Sequence, residues 1–225
     1  MNKQLISLIV LLTFLVFIGC GKKQETTGQK SEQQTEQTTE TNKKADSIKL
    51  AEEQKDKETK VKEALEEDKI INDTLGQWAI DAEASSSYAG DKPQKGASWA
   101  PDQLTAKPDV EHYGDDGKAW ASLEQDKGLE WVKLTYPKAV FATEVRVRQT
   151  YNPGAIIKVE LIDDNGKSHT VWEGVDKTKY EKDKIQYLKV SFDKTTYKTK
   201  IVKITLATNS VPGWNEIDAV QLVGQ

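Results

Sequence analysis

The sequence predicts an all-β fold, an antiparallel β-sandwich or jelly roll, for the region after about residue 75. Three observations predict it. Short runs with apolar residues at alternate positions recur from Trp78 onward. Pro-Gly and Asn-Gly turn signals separate them. Segments with helical periodicity are few in this region.

The elements follow in order. Glu130–Leu134 reads as a strand, with Tyr136-Pro137 expected to end it. Thr143–Gln149 places Val145 and Val147 on one face and Arg146 and Arg148 on the other. Asn152-Pro153-Gly154 is a turn with Pro preset for its second position and Gly for its third. Ile156–Ile162 and Ser168–Trp172 flank Asp163-Asp164-Asn165-Gly166, a hairpin turn. Tyr187–Phe192, Lys200–Leu206 and Asp218–Val223 complete the set. Trp131 and Trp172 lie within strand patterns and read as core; Trp99 and Trp120 lie in irregular Gly-, Pro- and Asp-rich segments and read as lids on the core.

The N-terminus carries an address. Lys3 precedes an apolar run from Leu5 to Ile18, broken only by Ser7 and Thr13. That length suits a secretory signal and is short for a membrane span, which needs roughly 20 residues. Phe17-Ile18-Gly19-Cys20 resembles the lipobox of bacterial lipoproteins, with Phe17 where the family prefers Leu. The resemblance implies a diacylglycerol thioether on Cys20, cleavage before it and acylation, with palmitate among the expected chains. Cys20 is the sole cysteine, so no intrachain disulfide is available. The reading is an exported protein anchored by lipid to a bacterial membrane, on the periplasmic face or the cell surface.

Gly21–Asp46 has no aromatic or large aliphatic residue and is expected to be a disordered tether. Ser47–Ile71 is rich in Glu, Lys, Ala and Leu and is expected to be helical, with Ser47 as its cap and pairs such as Glu53–Lys57. Its apolar positions are too sparse for a coiled-coil seam, so it reads as a solvated spacer. The alternative is a helix that binds a partner. All six tryptophans lie at or after Trp78, which sets the start of the folded part. The expected division is signal peptide 1–19, lipidated Cys20 and tether 20–46, charged helical spacer 47–72, and β-sandwich 76–225.

Net charge is −4 and lysines are interspersed with acids, which argues against a nucleic-acid partner. Enzyme signatures are weak. His112 and His169 are the only histidines and do not pair in a metal-protease pattern. There is no Gly-x-Ser-x-Gly elbow, and Ser85-Ser86-Ser87 has no visible base. Glu216 and Asp218 would share a strand face, which permits glycoside hydrolysis but is no evidence for it. The reading is non-catalytic.

Several separated motifs occur in a recognisable order: Ser98-Trp99-Ala100-Pro101, Ala119-Trp120-Ala121, Thr150-Tyr151-Asn152-Pro153-Gly154-Ala155 and Val211-Pro212-Gly213-Trp214-Asn215-Glu216-Ile217-Asp218-Ala219-Val220. Together they resemble the galactose-binding-like superfamily, whose best-known branch is discoidin. The resemblance covers roughly residues 76–224. It implies a galactose-binding-like jelly-roll β-sandwich of about eight strands whose last strand pairs near its first. It assigns no single ligand, since members bind sugars, lipids or proteins. The disulfide and apolar membrane spikes of the coagulation-factor type are missing here, which weakens direct lipid recognition.

The candidate ligand-binding residues are Tyr151, Asn152, Trp214, Asn215 and Glu216. A glycan site needs an aromatic face for sugar C–H groups and a few fixed polar groups for hydroxyls. The competing reading makes Trp214 a cap on the core and Glu216 a structural acid paired with Arg146 or Arg148. Asp115 and Asp116, in an oxygen-rich loop, are the candidate ligands of a structural Ca²⁺; no other cofactor is expected. The functional expectation is a membrane-anchored envelope lipoprotein displaying a binding module for carbohydrate. The alternative is a structural domain that contacts an envelope protein and takes no small ligand.

Overall fold

Helix-forming residues continue without a Gly or Pro from Glu32 to Ile71, and they form one helix, α1 (Glu32–Ile71). In this computed structural model the backbone is described for residues 32–225 and the side chains from Asp46. The signal peptide 1–19, Cys20 and the first part of the tether lie outside the described residues. The helix starts at Glu32 rather than Ser47, so the segment expected to be disordered is helical from Glu32 to Asp46. No Gly or Pro interrupts Glu32–Asp46, so a helix nucleated in the Glu-, Lys- and Ala-rich segment that follows extends through it one residue at a time. Lys49–Glu53 and Asp56–Lys60 supply exposed ion pairs one turn apart. Among the described residues no helix is long and apolar enough to cross a membrane.

The chain divides at Lys60, and the second unit, 61–225, contains all the strands. They are β1 (Gly76–Trp78), β2 (Asp81–Ala84), β3 (Leu129–Val140), β4 (Ala142–Tyr151), β5 (Ile156–Asp163), β6 (Ser168–Glu173), β7 (Gln186–Ser191), β8 (Thr199–Ala207) and β9 (Glu216–Gly224). The fold is an antiparallel β-sandwich. One sheet has the order β1-β9-β4-β7 and the other β2-β3-β8-β5-β6. The last strand pairs with the first, Gly76 opposite Val223, as the resemblance implied. It also pairs with β4 on its other side, which makes it a central strand.

Period-two alternation fills the space between the sheets. Val132, Leu134 and Tyr136 of β3 point inward, as do Val145 and Val147 of β4 and Val220 and Leu222 of β9. Each such aliphatic side chain contributes roughly 1.5–3 kcal/mol when fully buried. Tyr136 is buried whole; its hydroxyl donates to Val220 O at 3.2 Å, and burial pushes its phenol well up.

Two expectations change here. Trp131 is half-buried and faces away from the core, with the Lys203 ammonium over its ring, because alternation that puts Val132 inside must put Trp131 outside. Pro137 does not end β3. The β3–β8 register breaks between Thr135 and Val140, so the missing N–H of Pro137 falls where no ladder bond is made.

The C-terminal turns of α1 belong to the β-domain and are not a solvated spacer. Ile70 is buried, and its carbonyl accepts from Gln221 Nε2 at 2.8 Å. Glu63 meets Lys184, and Glu66 meets Lys189 at 3.1 Å, both on or beside β7. Glu67 reaches Arg148 Nε at 3.2 Å and accepts from the Tyr187 hydroxyl at 3.0 Å. Just past the helix, Asp73 pairs with Arg146 at 2.8 Å. The face that carries Arg146 and Arg148 is thus covered by an acidic helix end.

At the other end of β9, backbone approach is close. A Cβ on Gly224 would lie 2.6 Å from Phe141 O and 2.9 Å from Ala142 Cα. Gly224→Ala should therefore force β4 and β9 apart and lower stability by about 1–3 kcal/mol in urea denaturation. An unchanged midpoint would show that the strand ends yield freely.

Candidate functional site

Trp214 follows Pro212-Gly213, and Gly213 has φ +88°, the left-handed value required of the second central residue in a type II turn. The turn presents Trp214 and then Asn215 and Glu216 at the entrance to β9. The Trp214 indole N–H donates to Ser122 O at 3.1 Å, so one edge is fixed while the ring stays half-buried.

Three parts of the long connection between β2 and β3 meet it. Tyr88 follows the Ser85-Ser86-Ser87 segment, its amide donating to Ala121 O at 2.9 Å. Trp99 is held by a bond from Ser87 Oγ to its carbonyl at 2.9 Å and from its amide to Gly117 O at 2.8 Å. Its φ is +58°, which a bulky residue adopts only at a conformational cost of order 1–3 kcal/mol. The segment around Asp115 supplies the acid: Trp99 Nε1 donates to Asp115 Oδ1 at 3.0 Å. Tyr88 lies edge-on to Trp99, with centroids 5.2 Å apart, and edge-on to Trp214, at 5.4 Å.

These residues enclose a pocket of about 70 Å³ lined by Tyr88, Trp99, Asp115, Ala121, Trp214 and Glu216. Glu216 is 2% exposed and accepts from the Asp116 amide at 3.2 Å. Burial pushes its carboxyl up to about 8; the Asp116 amide opposes this, while the hydrogen bond that Glu216 donates to Asp115, and the charges of Asp115 and Asp116, add to it. At neutral pH the Glu216 carboxyl therefore keeps its proton. A larger depression of about 390 Å³ beside Trp78, Ile80 and Lys107 is mostly apolar and brings no carboxyl together with its aromatic ring.

The structure sorts the residues singled out in the sequence. Trp214 and Glu216 line the pocket. Tyr151, Asn152 and Asn215 do not. The Tyr151 ring lies edge-on to Tyr113 at 5.6 Å. Asn152, at φ +41°, donates from Nδ2 to Trp214 O at 2.9 Å, and Asn215 Nδ2 donates to Asn152 O at 2.9 Å. These two asparagines tie the 151–154 turn to the Trp214 loop and position it. Glu216 pairs with neither Arg146 nor Arg148. Arg146 is taken by Asp73 and Glu144, and Arg148 by Glu67 and Asp218. Glu216 and Asp218 therefore do not converge on one cleft.

Asp115 and Asp116 do not pool their carboxylates as calcium ligands would. Asp115 serves Trp99 and Glu216, while Asp116 Oδ1 accepts from the Lys118 amide at 3.0 Å. Among the described residues no group of three or more His, Cys, Asp or Glu side chains has the arrangement of a metal site. Tyr88 and Trp99 escaped the sequence reading as ligand residues. Their signal was position alone, in irregular loops rich in Ser, Gly and Pro.

Among solved structures, the chain is similar to chitosan-binding module 1 of a chitosanase/glucanase from Paenibacillus sp. IK-5, at 14% identity and TM-score 0.46, covering 64% of this chain and 94% of that one. It is similar to the family 32 carbohydrate-binding module of NanJ from C. perfringens, solved with galactose, at 18% identity and TM-score 0.42, covering 66% and 98%. It is also similar to reduced XRCC1 bound to the DNA pol beta catalytic domain, at 12% identity and TM-score 0.47, covering 67% and 99%. Likenesses of this depth assign no ligand to the chain. No curated protein matches it. The family model that matches, over residues 67–225, is described as Pappalysin-1, SD scarf domain, C-terminal, and its span begins at Glu67, the helix residue that grips Arg148. By that match, which covers most of its length, the chain belongs to the PAPPA: Pappalysin-1, SD scarf domain, C-terminal family.

Proposed function

We propose that this is a lipid-anchored envelope protein that displays a non-catalytic carbohydrate-binding domain. The observation that carries the binding half is the pocket where three aromatic rings, two from the β2–β3 connection and one from the turn before β9, surround two carboxyl groups. Aromatic faces accept the C–H side of a sugar, and the carboxyl pair offers both donor and acceptor for hydroxyls. The strained backbone of Trp99 supports the same assignment, since strain of this kind gathers at ligand sites. Asp115 and Glu216 are in hydrogen-bond contact, whereas glycoside hydrolysis needs carboxyls roughly 5–9.5 Å apart. The anchoring half rests on Phe17-Ile18-Gly19-Cys20 and the apolar run before it.

The test is a screen of the full chain, held in non-ionic detergent, against a glycan array and purified envelope polysaccharide. Trp214→Ala should weaken binding at least tenfold while the circular dichroism spectrum is unchanged, because the lost ring leaves one wall of the pocket open. Absence of any glycan binding would overturn the reading and direct the search to protein partners. Radiolabelled palmitate incorporation that vanishes in Cys20→Ser tests the anchor.

A further inference from the structure

The pocket is small. At about 70 Å³ it falls far short of the roughly 300–1,000 Å³ clefts that enclose drug-sized ligands. A pyranose ring does not fit inside; one substituent of a ring does. The walls say which kind. Tyr88 stands nearly at right angles to both Trp99 and Trp214, with interplanar angles of 74° and 82°, so the rings close around one point instead of forming a flat platform. A flat sugar face is met by a single exposed ring, whereas rings set at right angles surround a compact group.

The charges point the same way. Two acids, Asp115 and Glu216, line the pocket, and no Lys or Arg does. Among the described residues neither acid forms a salt bridge, whereas Asp73, Glu144, Glu160 and Asp218 each have a cationic partner. The nearest lysine in sequence, Lys118, turns its ammonium to Asp109 O at 3.2 Å. Aromatic faces are negative and attract cations, by about 0.5–1 kcal/mol when exposed and 2 or more when desolvated. An acetamido group would satisfy the rings but bring the acids only a neutral N–H and no counter-charge.

We infer that the pocket between Tyr88, Trp99 and Trp214 seats an organic ammonium group, with Asp115 and Glu216 as its counter-charge. Resting on the carbohydrate reading above, its source is the free amine of an unacetylated amino sugar, whose ring stays outside against the exposed Tyr88. The rings supply the desolvated wall and the carboxyl pair the specificity: a neutral sugar offers the acids hydrogen bonds but no counter-charge, and an anionic one is repelled.

Four probes test this on the full chain in non-ionic detergent, by tryptophan fluorescence and calorimetry: a β-1,4-linked glucosamine dimer, its N-acetylated counterpart, cellobiose, and tetramethylammonium chloride against a sodium chloride control. The glucosamine dimer should bind at least tenfold more tightly than the other two sugars, and tetramethylammonium should displace it. Asp115→Asn should weaken both cations at least fivefold and leave the fold intact, which keeps the test open should Trp99→Ala fail to fold. Tetramethylammonium carries its charge at every pH, so its affinity should rise severalfold from pH 6 to 9 as Glu216 ionises beside Asp115, Asp116 and Tyr88. Glu216→Gln should flatten that rise. Equal or tighter binding of the acetylated or neutral dimer overturns the ammonium seat and leaves the carbohydrate reading standing. Binding of tetramethylammonium, dependent on Asp115, with no sugar bound supports the seat and overturns the carbohydrate reading.

Discussion

Arg148→Met should lower the stability of the β-domain by about 3–5 kcal/mol, the usual loss when one partner of a buried ion pair is removed. Arg148 is 8% exposed, and its guanidinium donates to two acceptors and pairs with a third group by charge. Nη1 donates to Asp218 Oδ2 at 2.5 Å and to Val110 O at 2.8 Å, while Nε lies 3.2 Å from Glu67. Methionine fills much of the same volume and supplies none of these donors. Asp218 would be left 1% exposed with only the Asp109 amide, at 3.4 Å, and the Val110 carbonyl would lose its donor. Burial already outweighs the guanidinium and holds the Asp218 carboxyl up at about 6, so without the cation it would have to take up a proton to stay inside. Arg148→Met/Asp218→Asn should recover part of the loss, because it removes the stranded charge. A loss below about 1 kcal/mol for the single variant, by urea denaturation of the full chain, would show that water reaches this network freely. The same network sets the domain's working boundary. A chain begun at residue 75 lacks Glu67, Ile70 and Asp73, exposes Ala219 and Gln221 of the central strand, and should be markedly less stable than one begun at Val61.

How much of this could be read in the sequence depended on the range of the interaction that fixed each element. The strands from β4 to β9 were legible because alternation and turn chemistry are local: Val145 and Val147 face in, Arg146 and Arg148 face out, and Asn165-Gly166 closes its hairpin with Gly166 at φ +80°. β1 and β2 are three and four residues long, too short for any period to show. They exist because β9 and β3 offer edges for them. The outward arginines were visible as a pattern, but their partners Glu67 and Asp73 come from a helix end whose apolar residues are sparse. A polar dock leaves no hydrophobic stripe to detect. The pocket divides in the same way. Trp214 and Glu216 announce themselves beside a Pro-Gly turn. Trp99 and Tyr88 are placed by loop backbone, including a positive φ at Trp99 that nothing in Ser98-Trp99-Ala100 specifies. Asp115 was visible as an acid but read as a metal ligand, because its true neighbour, Glu216, lies a hundred residues away in the chain.

Glu216 makes the stability of the fold pH-dependent in the opposite direction from a salt-bridged carboxylate. Its ordinary value is 4.5, and burial together with the Asp115 charge raises it to about 8 in the folded chain. Between these values the folded state holds a proton that the unfolded state has released. Stability therefore stands in full below about 4.5 and is lost as pH rises through about 8. Asp218, raised from 3.8 to about 6, adds loss of the same sign at the acid end of that range, so pH 6 to 8 isolates Glu216 of the two. Across that window the full chain should lose about 2–3 kcal/mol, at 1.36 kcal/mol per pH unit. The side chain is 2% exposed, so solvent screens little of this. Glu216→Gln keeps a hydrogen-bonding group in place and cannot ionise, so its urea midpoint should hardly move over the same range, and the two proteins should diverge steadily toward alkaline pH. Parallel profiles would mean that Glu216 is already ionised at pH 6, and its carboxylate would then need a compensating cation that the aromatic walls of the pocket do not contain. Divergence would place a titrating acid at the floor of the pocket, where the same proton that steadies the fold is the one an incoming cation would displace.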